Sequence, residues 1–108
     1  MKVNRLLEIS TVHIRPSTSI WLEDHLEEPV MSPVFPPLPF VHYRLTYGWL
    51  INVPSVDLKG MGSCGFPADL KKCIREAAKE KCGWLLLDSD APELKNLPAY
   101  REEWDKSI

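Results

Sequence analysis

The chain has 108 residues, 44% of them hydrophobic, and 13 Lys and Arg against 15 Asp and Glu leave a formal charge of −2. That length is one domain, able to bury roughly 65% of its unfolded surface and so to hold a core without staples. The charge gives no basic footprint for nucleic acid, and no apolar run approaches the roughly 20 residues that cross a bilayer.

Arg5 to Ile14 carries Leu6, Leu7, Ile9, Val12 and Ile14, with β-branched residues dense toward its end, and predicts a strand over residues 5–12. Arg15-Pro16-Ser17 breaks it, and Pro16 suits a first helical turn. In the helix that follows, Ile20, Trp21 and Leu26 offer an inward face, Glu23, Asp24, Glu27 and Glu28 stay wet, and Pro29 is the stop.

Residues 29–39 hold five of the ten prolines. Such density forbids a helix or a central strand and leaves polyproline II or turns. The stretch also carries Val34, Phe35 and Leu38 and runs into Phe40. Two readings stand: a loop folded over the domain that buries Phe35 and Leu38, or an apolar segment offered to a partner.

Phe40 to Val53 predicts a hairpin, with Val41, Tyr43 and Leu45 alternating against His42, Arg44 and Thr46, then Trp49, Ile51 and Val53 after Gly48. Ser55 to Gly65 is a glycine-bearing loop. Pro67 suits the first position of a second helix. There Leu70, Cys73, Ile74, Ala77 and Ala78 share one face, and Asp69 lies against the positive end of the dipole. Gly83 is the expected left-handed stop. Trp84 to Leu87 then reads as a buried strand. In the tail, residues 91–108, Tyr100 and Trp104 sit four apart and start a short helix that packs back on the body.

Strand, helix, strand, strand, helix, strand is the split-βαβ, ferredoxin-like order. It predicts an α+β domain over residues 1–108 with two helices on one face of a four-stranded antiparallel sheet.

The chemistry on offer is thin. Cys64, in Ser-Cys-Gly-Phe-Pro shortly before a helix N-terminus, is the best candidate nucleophile, with His13 or His42 as its base. The plainer reading, a small residue in a glycine-rich loop, is preferred. Cys64, Cys73 and Cys82 contain no C-x-x-C pair, and Cys73 and Cys82 lie about 13 Å apart along the predicted helix, too far for a bridge. His13, His25 and His42 lack metal-site spacing, and the Asp88, Asp90 and Glu93 cluster reads as turn-forming carboxylates before a cation site. The aromatics Trp21, Trp49, Trp84, Tyr43 and Tyr47 read as core before a base-stacking platform. Neither cofactor nor metal is expected.

Taken together, Ser10-Thr-Val-His-Ile14, Trp21-Leu22, Tyr47-Gly-Trp49 with Val53-Pro54, Cys82-Gly-Trp-Leu85 with Asp88, and Leu97-Pro-Ala-Tyr100 resemble an uncharacterised family of small bacterial domains carried by plasmids, phages and other accessory DNA. The resemblance spans most of the chain and departs at residues 29–39. It implies a mobile-element setting and brings no reaction, cofactor or catalytic residue.

The sequence therefore points to a non-enzymatic accessory protein that binds another protein through Val34, Phe35, Leu38 and Phe40 and through its sheet, with a small thiol enzyme using Cys64 as the alternative. A homodimer is a further possibility, closed by sheet edges, Trp49 or the proline-rich loop. Met1 to Ser10 lacks the apolar core and cleavage site of a signal peptide, so a cytoplasmic location is expected.

Overall fold

The computed structural model of this protein describes residues 5–24, 42–53 and 67–106. Strand β1 is Leu6–Ser10, helix α1 Pro16–Asp24, β2 His42–Leu45, β3 Gly48–Asn52, α2 Ala68–Lys79, β4 Trp84–Asp88 and α3 Arg101–Lys106. Among the described residues strand, helix, strand, strand, helix and strand follow one another, with a third helix after them, and the fold is α+β.

The predicted first strand over 5–12 stops at Ser10. Its hydroxyl accepts the Val12 N–H at 3.3 Å and turns Thr11–His13 into one 3-10 turn. A side chain that bonds the backbone two residues on thus overrides the β-branched run. In α1 the buried residues are Thr18 and Leu22, an i, i+4 pair, while Ile20 is 60% exposed and Trp21 half-buried. The inward face was therefore misassigned at Ile20; Leu26 lies outside the described residues.

Helix α2 buries Leu70, Cys73, Ile74 and Ala77 as the periodicity predicts, but Ala78 is exposed and Asp69 is buried. Pro67 is the N-cap and not the first helical residue: its ψ of 130° is extended, although its carbonyl already accepts the Lys71 N–H. At the other end the left-handed residue is Lys81, φ 58°, not Gly83. The Cys82 N–H reaches Ala77 O at 2.9 Å and the Lys81 N–H reaches Ala78 O at 3.0 Å, a Schellman closure with lysine where glycine is usual.

The sheet runs β1-β4-β3-β2. β1 and β4 are parallel, Leu7 beside Leu85 and Ile9 beside Leu87, whereas β3 pairs antiparallel with both β4 and β2. It is thus mixed and not antiparallel as expected. The Arg5 carbonyl accepts the N–H groups of Gly83 and Trp84, which sets β4 beside β1 in the same direction. Gly48 is required where β3 meets β4, because a Cβ there would sit on the Leu87 carbonyl.

Leu22 of α1 and Leu70, Cys73, Ile74 and Ala77 of α2 join Ile9, Leu85, Leu87, Ile51 and Trp49 in one core, so both helices shelter the same side of the sheet. Each fully buried Leu or Ile there contributes about 1.5–3 kcal/mol. The tail is tied across this core: Ser10 N–H donates to Pro92 O, Tyr100 N–H to Val12 O, and the Trp104 indole N–H to Ile14 O at 2.8 Å.

Candidate functional site

Cys64, Val34, Phe35, Leu38 and Phe40 lie outside the described residues, as does the 29–39 stretch. His13 is 1% exposed and works as a structural clamp. Its Nε2 accepts the Leu94 N–H at 2.8 Å, and its Nδ1 faces the Pro98 carbonyl at 2.7 Å. A carbonyl only accepts and an amide N–H only donates, so both bonds select the neutral Nδ1–H tautomer. Both nitrogens are spent on backbone. His42 lies elsewhere, half-buried, donating from Nε2 to Leu22 O at 2.9 Å with its ring 5.8 Å from that of Trp49.

The remaining polar candidates are likewise engaged. Asp88 Oδ1 accepts the Asp90 N–H at 2.8 Å, a local Asx turn, and Glu93 pairs with Arg101. The Arg101 guanidinium holds the Glu93 carboxyl below its usual range. Cys73 and Cys82 are buried free thiols. Burial, with Asp69 and Glu76 nearby, pushes the Cys73 thiol up to about 12, and it donates toward His13 O. It is therefore no nucleophile at neutral pH. Among the described residues no group of three or more His, Cys, Asp or Glu could hold a metal ion.

Among the concavities formed by the described residues, two hold the polar side chains of the helix-covered side. One, of about 320 Å³, lies beyond the C-terminal ends of β1 and β4 and is lined by Ile14, Ser19, Arg44, Trp49 and Trp104 among others. The Trp49 indole donates to Ser19 Oγ at 3.1 Å, while Arg44 pairs with Glu23 at 2.5 Å and leans over the Trp49 ring. The other, of about 510 Å³, lies at the N-termini of α1 and α2. There the buried Asp69 carboxylate accepts Arg15 N–H at 2.7 Å and Thr18 Oγ1–H at 2.6 Å. A side chain from α2 thus holds the place an external anion would take at α1.

The opposite side of the sheet is different. Alternation along the strands places Leu6, Trp84, Leu86, Leu50, Tyr43 and Leu45 there, and Glu8, Leu86, Leu50 and Tyr43 form one row across all four strands. Leu6 is 47% exposed, Tyr43 50% and Leu45 39%; Trp84, Leu86 and Leu50 are half-buried. No described helix packs on this face.

One expectation is corrected here, and the two sides of β2 are assigned. Trp84–Leu87 is buried on one side only, since Leu85 and Leu87 are at 0% while Trp84 and Leu86 face outward. Tyr43 and Leu45 lie on the face opposite the helices, because His42 and Arg44 pair with Ile51 and Trp49 and so share the helix side. Of the aromatics read as core, Trp49 is buried, Trp21 and Trp84 are half-buried, and Tyr43 and Tyr47 are exposed. The signal for this face was in the sequence. Adjacent apolar pairs such as Leu6-Leu7 and the unbroken Trp84–Leu87 run put hydrophobic side chains on both sides of a strand.

No helix of the described residues is long and apolar enough to cross a membrane. No curated protein and no solved structure matches the chain. Residues 6–103 match the C-terminal domain of a family of unknown function, DUF5983, and with nearly its whole length covered the chain belongs to that family.

Proposed function

We propose that this domain acts by binding another protein, and that the helix-free face of its sheet is the contact surface. One observation carries the reading: Leu6, Trp84, Leu86, Leu50, Tyr43 and Leu45 form a contiguous apolar band on a face no described helix covers. Apolar patches of this kind mark interaction sites, and aromatic side chains are favoured in interface cores. The sheet is well suited to the work because its other side is anchored to a closed core, so the band needs little ordering when a partner docks.

The proline-rich stretch 29–39, with Val34, Phe35, Leu38 and Phe40, is proposed as a second contact. It leads straight into β2, and its prolines preset the backbone. The setting proposed is an accessory protein of a mobile genetic element, on the strength of the motif resemblance.

The test is comparative capture from the native host with the wild type and with a Leu6→Ser, Leu45→Ser variant. Both side chains are substantially exposed, so the melting temperature should hold while specific partners are lost. A second variant, Phe35→Ser with Leu38→Ser, checks the proline-rich contact in the same way. Partners retained by both variants would refute the reading.

A further inference from the structure

The docking face has a charge signature that identifies the kind of partner it fits. Its strands carry two ionisable side chains besides Tyr43, Glu8 and Asp88, and both are acidic. Asn52 is the remaining long polar residue, and among the described residues no Lys or Arg of β1–β4 points to this side, since Arg44 shares the helix-covered face with Trp49. Glu8 sits on the edge strand directly beside Leu86, and Asp88 lies one step further along β4. An apolar band with carboxylates along one margin is the complement of an apolar strip margined by Lys or Arg.

Resting on the docking reading above, we propose that the partner presents such a basic-flanked apolar segment, and that the partner is not a second copy of this chain. Two-fold self-packing would set this face against itself. Glu8 and Asp88 would then gain no opposite charge from the strands of the second copy in exchange for lost water, Asp88 keeping its bond from the Asp90 N–H, which is unfavourable. A basic partner turns the same two groups into attractive rim contacts that steer encounter and fix register.

The probes are two synthetic peptides of equal length, one alternating Leu with Lys and one alternating Leu with Glu, titrated into the intact chain while backbone amide NMR shifts are followed. The Lys peptide is expected to move Leu6, Glu8, Leu50 and Leu86, more weakly as NaCl rises, and the Glu peptide to leave them in place. Glu8→Lys combined with Asp88→Asn, which keeps the oxygen that accepts the Asp90 N–H, should weaken the Lys peptide by about 2- to 10-fold, the scale of two rim ion pairs. Equal binding of both peptides at this face overturns the basic-partner inference and leaves the docking face standing. Shifts from neither peptide on this face overturn both. A dimer in sedimentation that Leu6→Asp dissociates shows a second copy as occupant and overturns the inference. So does binding that appears only once Phe35 and Leu38 are changed to Ser, because the chain's own proline-rich stretch then holds the face.

Discussion

Asp69, on the first turn of α2, caps the first turn of α1: its Oδ2 accepts the N–H of Arg15 at 2.7 Å and the hydroxyl of Thr18 at 2.6 Å. One carboxylate thereby fixes the two helices against each other. It is 8% exposed, and Thr18 is 3% exposed. Asp69→Ala removes the acceptor of the buried Thr18 hydroxyl and of the part-buried Arg15 N–H and is expected to lower stability by about 1–3 kcal/mol. Asp69→Asn keeps an acceptor oxygen and should lose about half of that. Urea denaturation followed by circular dichroism distinguishes them, and equal stability of the Ala variant and the wild type would contradict this role.

His13 joins the segment after β1 to the tail through Leu94 and Pro98. His13→Ala should cost about 2–4 kcal/mol through two lost buried hydrogen bonds and a cavity. The local readout is sharper than the global one. Exchange of the Leu94 amide should accelerate far more than that of the β4 amides, because the tail detaches before the sheet opens.

Lys81 occupies a left-handed conformation, φ 58°, that costs an L-residue about 1–2 kcal/mol and glycine almost nothing. Lys81→Gly is therefore expected to stabilise the fold by about 0.5–1 kcal/mol, after the extra unfolded-state entropy of glycine is subtracted. Lys81→Ala should give no such gain. Thermal melts of the two variants decide the point.

Cys73 has a thiol pushed up from 9.0 to about 12, chiefly by burial. The folded chain therefore holds this proton more tightly than the unfolded chain. Its contribution to stability is complete below about pH 9 and is lost as the pH rises toward 12. Cys73→Ala should show a shallower fall in stability across that window, on top of a uniform loss from the smaller side chain. In the native wild type, iodoacetamide should label Cys73 at a rate set by unfolding, with peptide mass mapping reporting the site. Rapid labelling of the native thiol at pH 8 would refute its burial.

Local features of the fold were readable from particular residues. The α2 stripe of Leu70, Cys73, Ile74 and Ala77 repeats at helical spacing, and the hairpin around Gly48 is marked by alternation on both sides. Pro16 opens α1 as its type predicts. Even the stop of β1 at Ser10 has a local cause in its own hydroxyl, which the β-branched Val12 and Ile14 that follow it mask in the sequence. The Schellman turn was missed for a different reason: glycine is the usual residue at that position, and the tertiary fold imposes the conformation on lysine two residues earlier.

The candidate face was less legible. Apolar residues on both sides of a strand look the same in sequence whether the second side is covered or open, so Trp84 and Leu86 passed as core. Alternation in β2 identified two sides without saying which one the helices take. His42 and Arg44 went to the covered side because their register partners, Ile51 and Trp49, are there.

By itself, then, the sequence determined the kinds of element, their order and the inward stripe of α2, since these follow from interactions within a few residues. Only the tertiary structure decided that β4 lies parallel to β1, that Asp69 and His13 are buried clamps, and that no described helix covers one side of the sheet. Those outcomes depend on backbone and side-chain pairings between segments from opposite ends of the chain, whose geometry is set when the whole core closes and leaves no local period to read.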